Sequence, residues 1–337
     1  MEANASTLAN KYRMSQAKIK IADKNIPSST LFGITLALTA SVLWGAMGVC
    51  VQFVFESTPI QPLELSAIRM FLAGLTLFLV NALFAAKELF KILRSLKDFV
   101  GSALSGLILF GGHLTFFYAV YASNAGTGAI FLTLVPLFAG IYLFVRGKQP
   151  FTLREFLCCG LAIVGVILIV SKGDLSSFDF NWGAILWGLA CAVLSTVYSI
   201  QPKPLIEKWG VLPVVTWGML CAGIFGIAIA SPWQSLEAFS TENYLALVFI
   251  VLFGTVAAFW LYLLSLKYLS PVMVGLIVCV EPTSAYLFGI AFMGLRLGWL
   301  ECLGIGLVLA NVIILSYRPA PPKRRAPPSK LEELQKS

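Results

Sequence analysis

Residues 243–266 read NYLALVFIVLFGTVAAFWLYLLSL, a stretch of 24 residues without a charged side chain. A helix of about 20 apolar residues crosses the hydrocarbon core of a bilayer, so this stretch predicts a membrane-spanning helix. The rest of the chain has the same character, with 58% hydrophobic and only 12% charged residues. Soluble domains carry about one quarter charged residues. The composition therefore indicates an integral membrane protein.

Nine further apolar runs of similar length are present, and the connections between them are short. None shows the period-two alternation of a membrane barrel, so an all-α bundle of antiparallel neighbours is predicted. We number the ten predicted transmembrane helices as spans one to ten, in order 31–55, 63–86, 99–121, 125–146, 153–171, 182–201, 210–231, 243–266, 271–293 and 299–317.

Basic residues give an independent test of this topology. With the N-terminus in the cytoplasm, 21 Lys and Arg fall on the cytoplasmic side and only Lys172 and Arg296 on the other, while Arg69 lies inside span two. Cytoplasmic loops carry such an excess. The pattern predicts a multi-pass protein of a bacterial inner (plasma) membrane with both termini cytoplasmic. The net charge of +8 is spread over loops and tails, so the predicted partner is the lipid bilayer and not a nucleic acid.

An internal duplication is indicated by a shift of 146 residues. The shift superposes Pro136 on Pro282 and Glu155 on Glu301. Because each half holds five spans, an odd number, the second half must enter the membrane inverted, which is a recurring transporter design. The predicted organisation is a cytoplasmic tail 1–30, repeats 31–172 and 180–317, and a basic, proline-rich tail 318–337.

Short motifs occur in order along both halves. They are Ser41-Val-Leu-Trp44-Gly45, Arg69-Met-Phe-Leu-Ala-Gly, Gly254-Thr255-Val-Ala-Ala-Phe-Trp-Leu-Tyr262, Leu266-Lys-Tyr-Leu-Ser-Pro271, Glu281-Pro282 and Gly304-Ile-Gly306-Leu-Val-Leu-Ala310. Over residues 31–317 the chain resembles the EamA-type branch of the drug/metabolite transporter superfamily. The resemblance implies a ten-helix, 5+5 inverted-repeat carrier with a central cavity, of a kind that mostly exports amino acids, other metabolites or toxic compounds. The chain departs from repeat symmetry at Val135, which stands where span nine has Glu281.

Three ionisable residues lie deep in the predicted spans, where a charge costs about 2.5–3.5 kcal/mol on insertion scales. Glu281, near the middle of span nine, is a candidate for proton coupling or solute contact; the alternative is a carboxyl group bonded to a neighbouring helix. His113 is the single histidine, and it either serves the solute or is a satisfied core residue. Arg69 either attracts anions or extends outward to the headgroups.

Prolines and polar or aromatic stripes predict the cavity wall. Pro136 and Pro282 each remove a helical hydrogen bond, and the stripes follow helical spacing, which also suits plain helix packing. The candidate substrate-binding residues are Trp44, His113, Phe117, Pro136, Tyr198, Thr255, Phe259, Tyr262, Glu281 and Pro282.

The predicted function is secondary active export of amino acids or related small metabolites by alternating access. No Walker motif is present, so no ATP-driven step is expected. We expect no cofactor and no metal, because a lone histidine has no partner of ligand spacing. An intramembrane enzyme is the first alternative, but every Asp lies outside the apolar runs. A receptor or scaffold is the second, and the oligomeric state is left open.

Overall fold

The computed structural model describes residues 28–146, 181–269, 277–278 and 280–316, together with 157, 160–161, 164–165, 167–168 and 274. Most of span five, both tails and the beginning of span nine lie outside the described residues. All regular secondary structure in the described part is helical.

The long helices follow the predicted spans closely. They are Ser28–Ser57 (span one), Pro62–Phe84 (two), Leu96–Ala122 (three), Ala125–Leu132 with Val135–Val145 (four), Trp182–Ile200 (six), Val211–Ala230 (seven), Thr241–Val248 with Phe249–Ala257 and Ala258–Ser265 (eight), Val280–Met293 (nine) and Trp299–Ser316 (ten). Short helices at Ala86–Lys91, Ile92–Arg94, Lys203–Trp209 and Trp233–Glu237 connect them. Within the described residues, seven spans are long and apolar enough to cross a membrane: one to four and six to eight.

Span four is interrupted just before its proline. The helix Ala125–Leu132 ends in a turn at Thr133 and Leu134, and Val135–Val145 then begins with proline in its first turn. Proline lacks an N–H and is tolerated where a helix begins. The amides of Thr133 and Leu134 donate instead to carbonyls three residues back, at Ile130 and Phe131. The break predicted at Pro136 is therefore present, although nothing is described of that side chain.

Span eight contains nine residues of π-helix, Phe249–Ala257, between two α-helical pieces. Thr255 marks it, because its Oγ1 donates to the carbonyl of Ile250, five residues back, at 2.8 Å. Such stretches are rare and occur often at functional sites. The wider turn changes the direction in which the following residues, Phe259 and Tyr262, leave the helix.

Close helix contacts hold the two halves of the chain together. Span seven packs against spans two and three, and span nine against span one. A Cβ added at Gly223 in span seven would lie 2.4 Å from the Cα of Phe71 in span two. A Cβ at Gly74 would lie 2.6 Å from the backbone nitrogen of Leu220. Small residues of this kind let membrane helices approach closely.

Candidate solute cavity

A cavity of about 380 Å³ lies in the middle of the bundle. Its wall takes residues from spans one, three, four, six, eight and nine, so both halves of the chain contribute to it. Most of the lining is apolar or aromatic, with a few hydroxyl groups and one carboxyl group. Small-molecule sites commonly combine an apolar wall with a few placed polar groups.

One side of the cavity is an aromatic cluster centred on Trp44. The Trp44 ring lies 5.4 Å from the Phe259 ring and 5.6 Å from the Tyr262 ring, centroid to centroid. Phe259 is also 6.4 Å from the His113 ring, in an edge-to-face arrangement. Tyr198 of span six is part of the same wall. The electron-rich faces of such rings attract cations.

The Glu281 side chain supplies the acidic group of the wall. The residue is 7% exposed, and its carboxylate makes no hydrogen bond with any described residue, whereas its backbone carbonyl accepts from Ser284 Oγ at 2.8 Å. The alternative predicted for it, a carboxyl group bonded to a neighbouring helix, is not seen among the described residues. Span one holds this region in place through a 3.0 Å bond from Ser41 Oγ to the carbonyl of Val278.

His113 is a residue of the same wall. Its Nε2 is buried and has no hydrogen-bond partner in the described part of the chain, so the alternative of a satisfied core histidine is not what the structure contains there. His113 and Glu281 both line the cavity. The wall therefore holds two polar side chains, His113 and Glu281, with atoms that lack a hydrogen-bond partner among the described residues.

Arg69 lies behind the wall. It is 1% exposed, its Nε donates to Thr255 Oγ1 at 2.8 Å, and its Cζ is 5.4 Å from the centre of the Phe117 ring. A side chain enclosed in this way does not extend to the headgroups. Arg69 and Glu281 are close enough for their charges to interact, but they do not form an ion pair.

The structure places nine of the ten predicted binding residues in two groups. Seven lie in the cavity wall: Trp44, His113, Tyr198, Phe259, Tyr262, Glu281 and Pro282. Phe117 and Thr255 lie behind it, in contact with Arg69. The side chain of Pro136 is outside the described set, but its neighbours Thr133 and Val135 line the cavity.

Met47 and Cys191 also line the cavity, and neither was predicted. An apolar side chain in an apolar helix carries no mark that separates a cavity wall from packing. Gly48, one turn beyond Trp44 on span one, approaches Ala125 of span four. The spacing of Trp44 and Met47 on one helix face was the available signal.

The comparisons with known proteins agree with this architecture. The EamA-like transporter family matches residues 31–171 and again residues 182–317. The chain belongs to the EamA-like transporter family. This EamA-family chain is 30% identical over 292 residues to the "Uncharacterized inner membrane transporter YicL" of Salmonella typhimurium, covering 86% of this chain and 96% of that protein. It is 27% identical to YedA of Escherichia coli K12, an inner membrane transporter by name, over 85% of this chain and 90% of that protein.

Two further similarities are to a curated protein and to a solved structure. Protein PecM of Dickeya dadantii is 24% identical over 83% of this chain and 90% of that protein. A chain of known crystal structure is similar with a TM-score of 0.58 at 17% identity, covering 86% of the EamA-family chain and 96% of the other; this similarity concerns the fold alone. The family and the names of the relatives indicate a membrane transporter.

Proposed function

We propose that this chain is a secondary active transporter of the inner membrane that exports amino acids or related small metabolites by alternating access. The observation that carries the proposal is the Glu281 carboxyl group, which faces an aromatic cavity without a hydrogen-bond partner among the described residues. An ionisable residue inside a membrane bundle is costly and is typically retained for a function.

The chemistry of the wall favours an amine-bearing solute. A carboxylate next to the faces of Trp44, Phe259 and Tyr262 suits an ammonium group, because charge attraction and cation–π attraction act together. The same carboxylate can hold a proton in place of the amine. A group that binds either proton or solute, but not both, couples export of one to entry of the other.

The proposed architecture is ten spans in two inverted repeats, 31–172 and 180–317, with both tails in the cytoplasm. The double match to the family and the seven apolar helices support it. The names of the relatives support the inner membrane as its location.

Contacts at both ends of the bundle support alternating access. At one end Lys208 Nζ lies 2.5 Å from Asp98 Oδ2, and the Trp209 indole donates to the same oxygen at 3.1 Å. At the other end Asn243 Nδ2 donates to Ser57 Oγ at 2.6 Å. Each contact joins a residue of the first half to one of the second half. Opening either end requires its own set of contacts to break.

Solute binding by purified full-length protein tests the proposal. We expect amines and amino acids, such as 3-methylbutylamine and leucine, to raise the Tm in detergent, whereas sugar phosphates leave it unchanged. Glu281→Gln removes the shift produced by the amine, and Glu207→Gln, which changes an exposed carboxylate on the short helix Lys203–Trp209, retains it. An amine shift of equal size in Glu281→Gln would contradict the proposal.

A further inference from the structure

Unsatisfied polar atoms are concentrated next to the cavity. In the part of the chain that the structure describes, four buried side-chain atoms lack a hydrogen-bond partner: Ser66 Oγ, Arg69 Nη1, Arg69 Nη2 and His113 Nε2. Ser66 and Arg69 are three residues apart on span two, so they share a helix face. Arg69 and His113 are close enough for electrostatic interaction. Buried polar groups are nearly always bonded, so a cluster of exceptions requires an explanation.

The missing partner must be an acceptor. A guanidinium group has donors only, and a hydroxyl group or a neutral imidazole can also donate. The Nε of Arg69 already donates a hydrogen bond to Thr255, and one face of the guanidinium group packs on the Phe117 ring. What remains is the fork of Nη1 and Nη2. This fork matches the two oxygens of a carboxylate in a bidentate pair.

Glu281 does not provide this acceptor in the structure. Its charge interacts with that of Arg69, but the two side chains form no ion pair, and the carboxylate belongs to the cavity wall. Arg69 and Glu281 thus lie near each other without pairing, and Glu281 is the one of the two that lines the cavity. The guanidinium group and the carboxylate can therefore each pair with a different part of a bound molecule.

Met47 lies between the cavity and the helix segment that contacts Arg69. Met47 lines the cavity and packs on Gly254, the residue before Thr255: a Cβ on Gly254 would lie 2.5 Å from Met47 Cγ. Methionine is unbranched and adapts its shape easily. A rotation of its side chain is a small change that would open a route from the cavity toward Thr255 and the Arg69 guanidinium bonded to it.

We infer that Ser66, Arg69 and His113 form a carboxylate-binding subsite at the edge of the cavity, which rests on the proposed function. The solute carboxylate accepts two hydrogen bonds from the Arg69 fork, and Ser66 and His113 complete its coordination. The ammonium group of the same solute lies toward Glu281. Both charges of the solute are then balanced inside the membrane, and the buried donors gain their acceptor.

Three probes with the same side chain test the two charges of the solute separately. Leucine carries both an ammonium and a carboxylate group, whereas leucine methyl ester and 3-methylbutylamine carry the ammonium group alone. Their affinities are measured with full-length protein in lipid nanodiscs. We expect wild type to bind leucine at least tenfold more tightly than its methyl ester. Arg69→Gln reduces that ratio below threefold and leaves the affinity for 3-methylbutylamine within threefold of wild type. Arg296→Gln, which changes an exposed arginine between the helices of spans nine and ten, retains the wild-type ratio.

Two further variants keep the test independent of how Arg69→Gln folds. Ser66→Ala removes one donor and is expected to lower the ratio two- to fivefold, and Met47→Ala widens the route and leaves the ratio intact or larger. Equal affinity of wild type for leucine and its ester overturns the subsite, even when the amine binds. An amine that does not bind at all contradicts the proposed function instead. Chloride is the other source of the same chemistry: a chloride-dependent Tm that Arg69→Gln abolishes, with acid and ester equal, assigns the donors to a free anion.

Discussion

Arg69 of span two and Thr255 of span eight are joined by a 2.8 Å hydrogen bond from Nε to Oγ1, across 186 residues of sequence. The Thr255 hydroxyl in turn donates a hydrogen bond to the carbonyl of Ile250. The bond therefore links the buried guanidinium of the first half to the π-helix of the second half, next to the residues that form the aromatic wall.

Loss of the Thr255 hydroxyl should destabilise the fold. Thr255→Val keeps the shape but leaves Arg69 Nε without its acceptor, and an unsatisfied buried donor costs about 1–3 kcal/mol, more for a charged group. We expect a lower Tm in detergent. Thr76→Val is the matched control, because Thr76 bonds only to Leu72 of its own helix. Equal Tm values for the two variants would show that the Arg69–Thr255 bond does not stabilise the fold.

The contact between spans two and seven should not tolerate a larger side chain. A Cβ at Gly223 would meet backbone atoms of Phe71, which cannot rotate away as a side chain can. Overpacking of this kind costs about 1–3 kcal/mol. We expect Gly223→Ala to lower the Tm, and Gly306→Ala, which has open space around it, to leave it within experimental error. A lower Tm for Gly306→Ala than for Gly223→Ala would contradict the close packing of spans two and seven.

A covalent link at one end of the bundle should stop the cycle. Ser57 and Asn243 lie in hydrogen-bond contact, so cysteines at both positions, in a chain without its native cysteines, should form a disulfide on oxidation. We expect flux in proteoliposomes to stop on oxidation and to return with a reductant. Each single-cysteine chain serves as the control and keeps its flux under both conditions. Full flux with the disulfide formed would contradict opening at that end.

Both termini should lie on the same side of the membrane. Ten spans and the excess of Lys and Arg on one side require it. A cysteine placed in each tail is expected to react with a membrane-impermeant maleimide only after the cells are opened, while one beside Arg296 reacts in intact cells. Tails labelled on different sides would remove an odd number of spans from the proposed architecture.

The sequence predicted the elements well because the signal is strong and local. Runs of about 20 apolar residues mark membrane helices, and Pro136 marked the break in span four. The cavity residues Trp44, Phe259 and Tyr262 were predicted because aromatic residues stood at helical spacing in motif-bearing spans.

The extent of the cavity along each helix and the π-helical geometry of span eight could not be predicted in the same way. A stripe identifies a helix face but not where a cavity along it ends, so Phe117, one turn beyond His113, lies behind the wall. The π-helix of span eight contains the Thr255–Ile250 bond and contacts Arg69 of span two, and no local sequence pattern predicted it. The burial of Arg69 follows from partners far away in sequence, so the structure was needed to show that its side chain does not extend to the headgroups.

Flux in proteoliposomes with an imposed proton gradient is the most direct test of solute transport coupled through Glu281. Export in exchange for protons runs faster when the side opposite the cytoplasm is acidic, because Glu281 then takes up a proton there and releases it inside. The account predicts gradient-driven leucine or 3-methylbutylamine flux for wild type and Glu207→Gln, and at least a tenfold loss of that flux for Glu281→Gln. Gradient-driven flux of wild-type size in Glu281→Gln would contradict it.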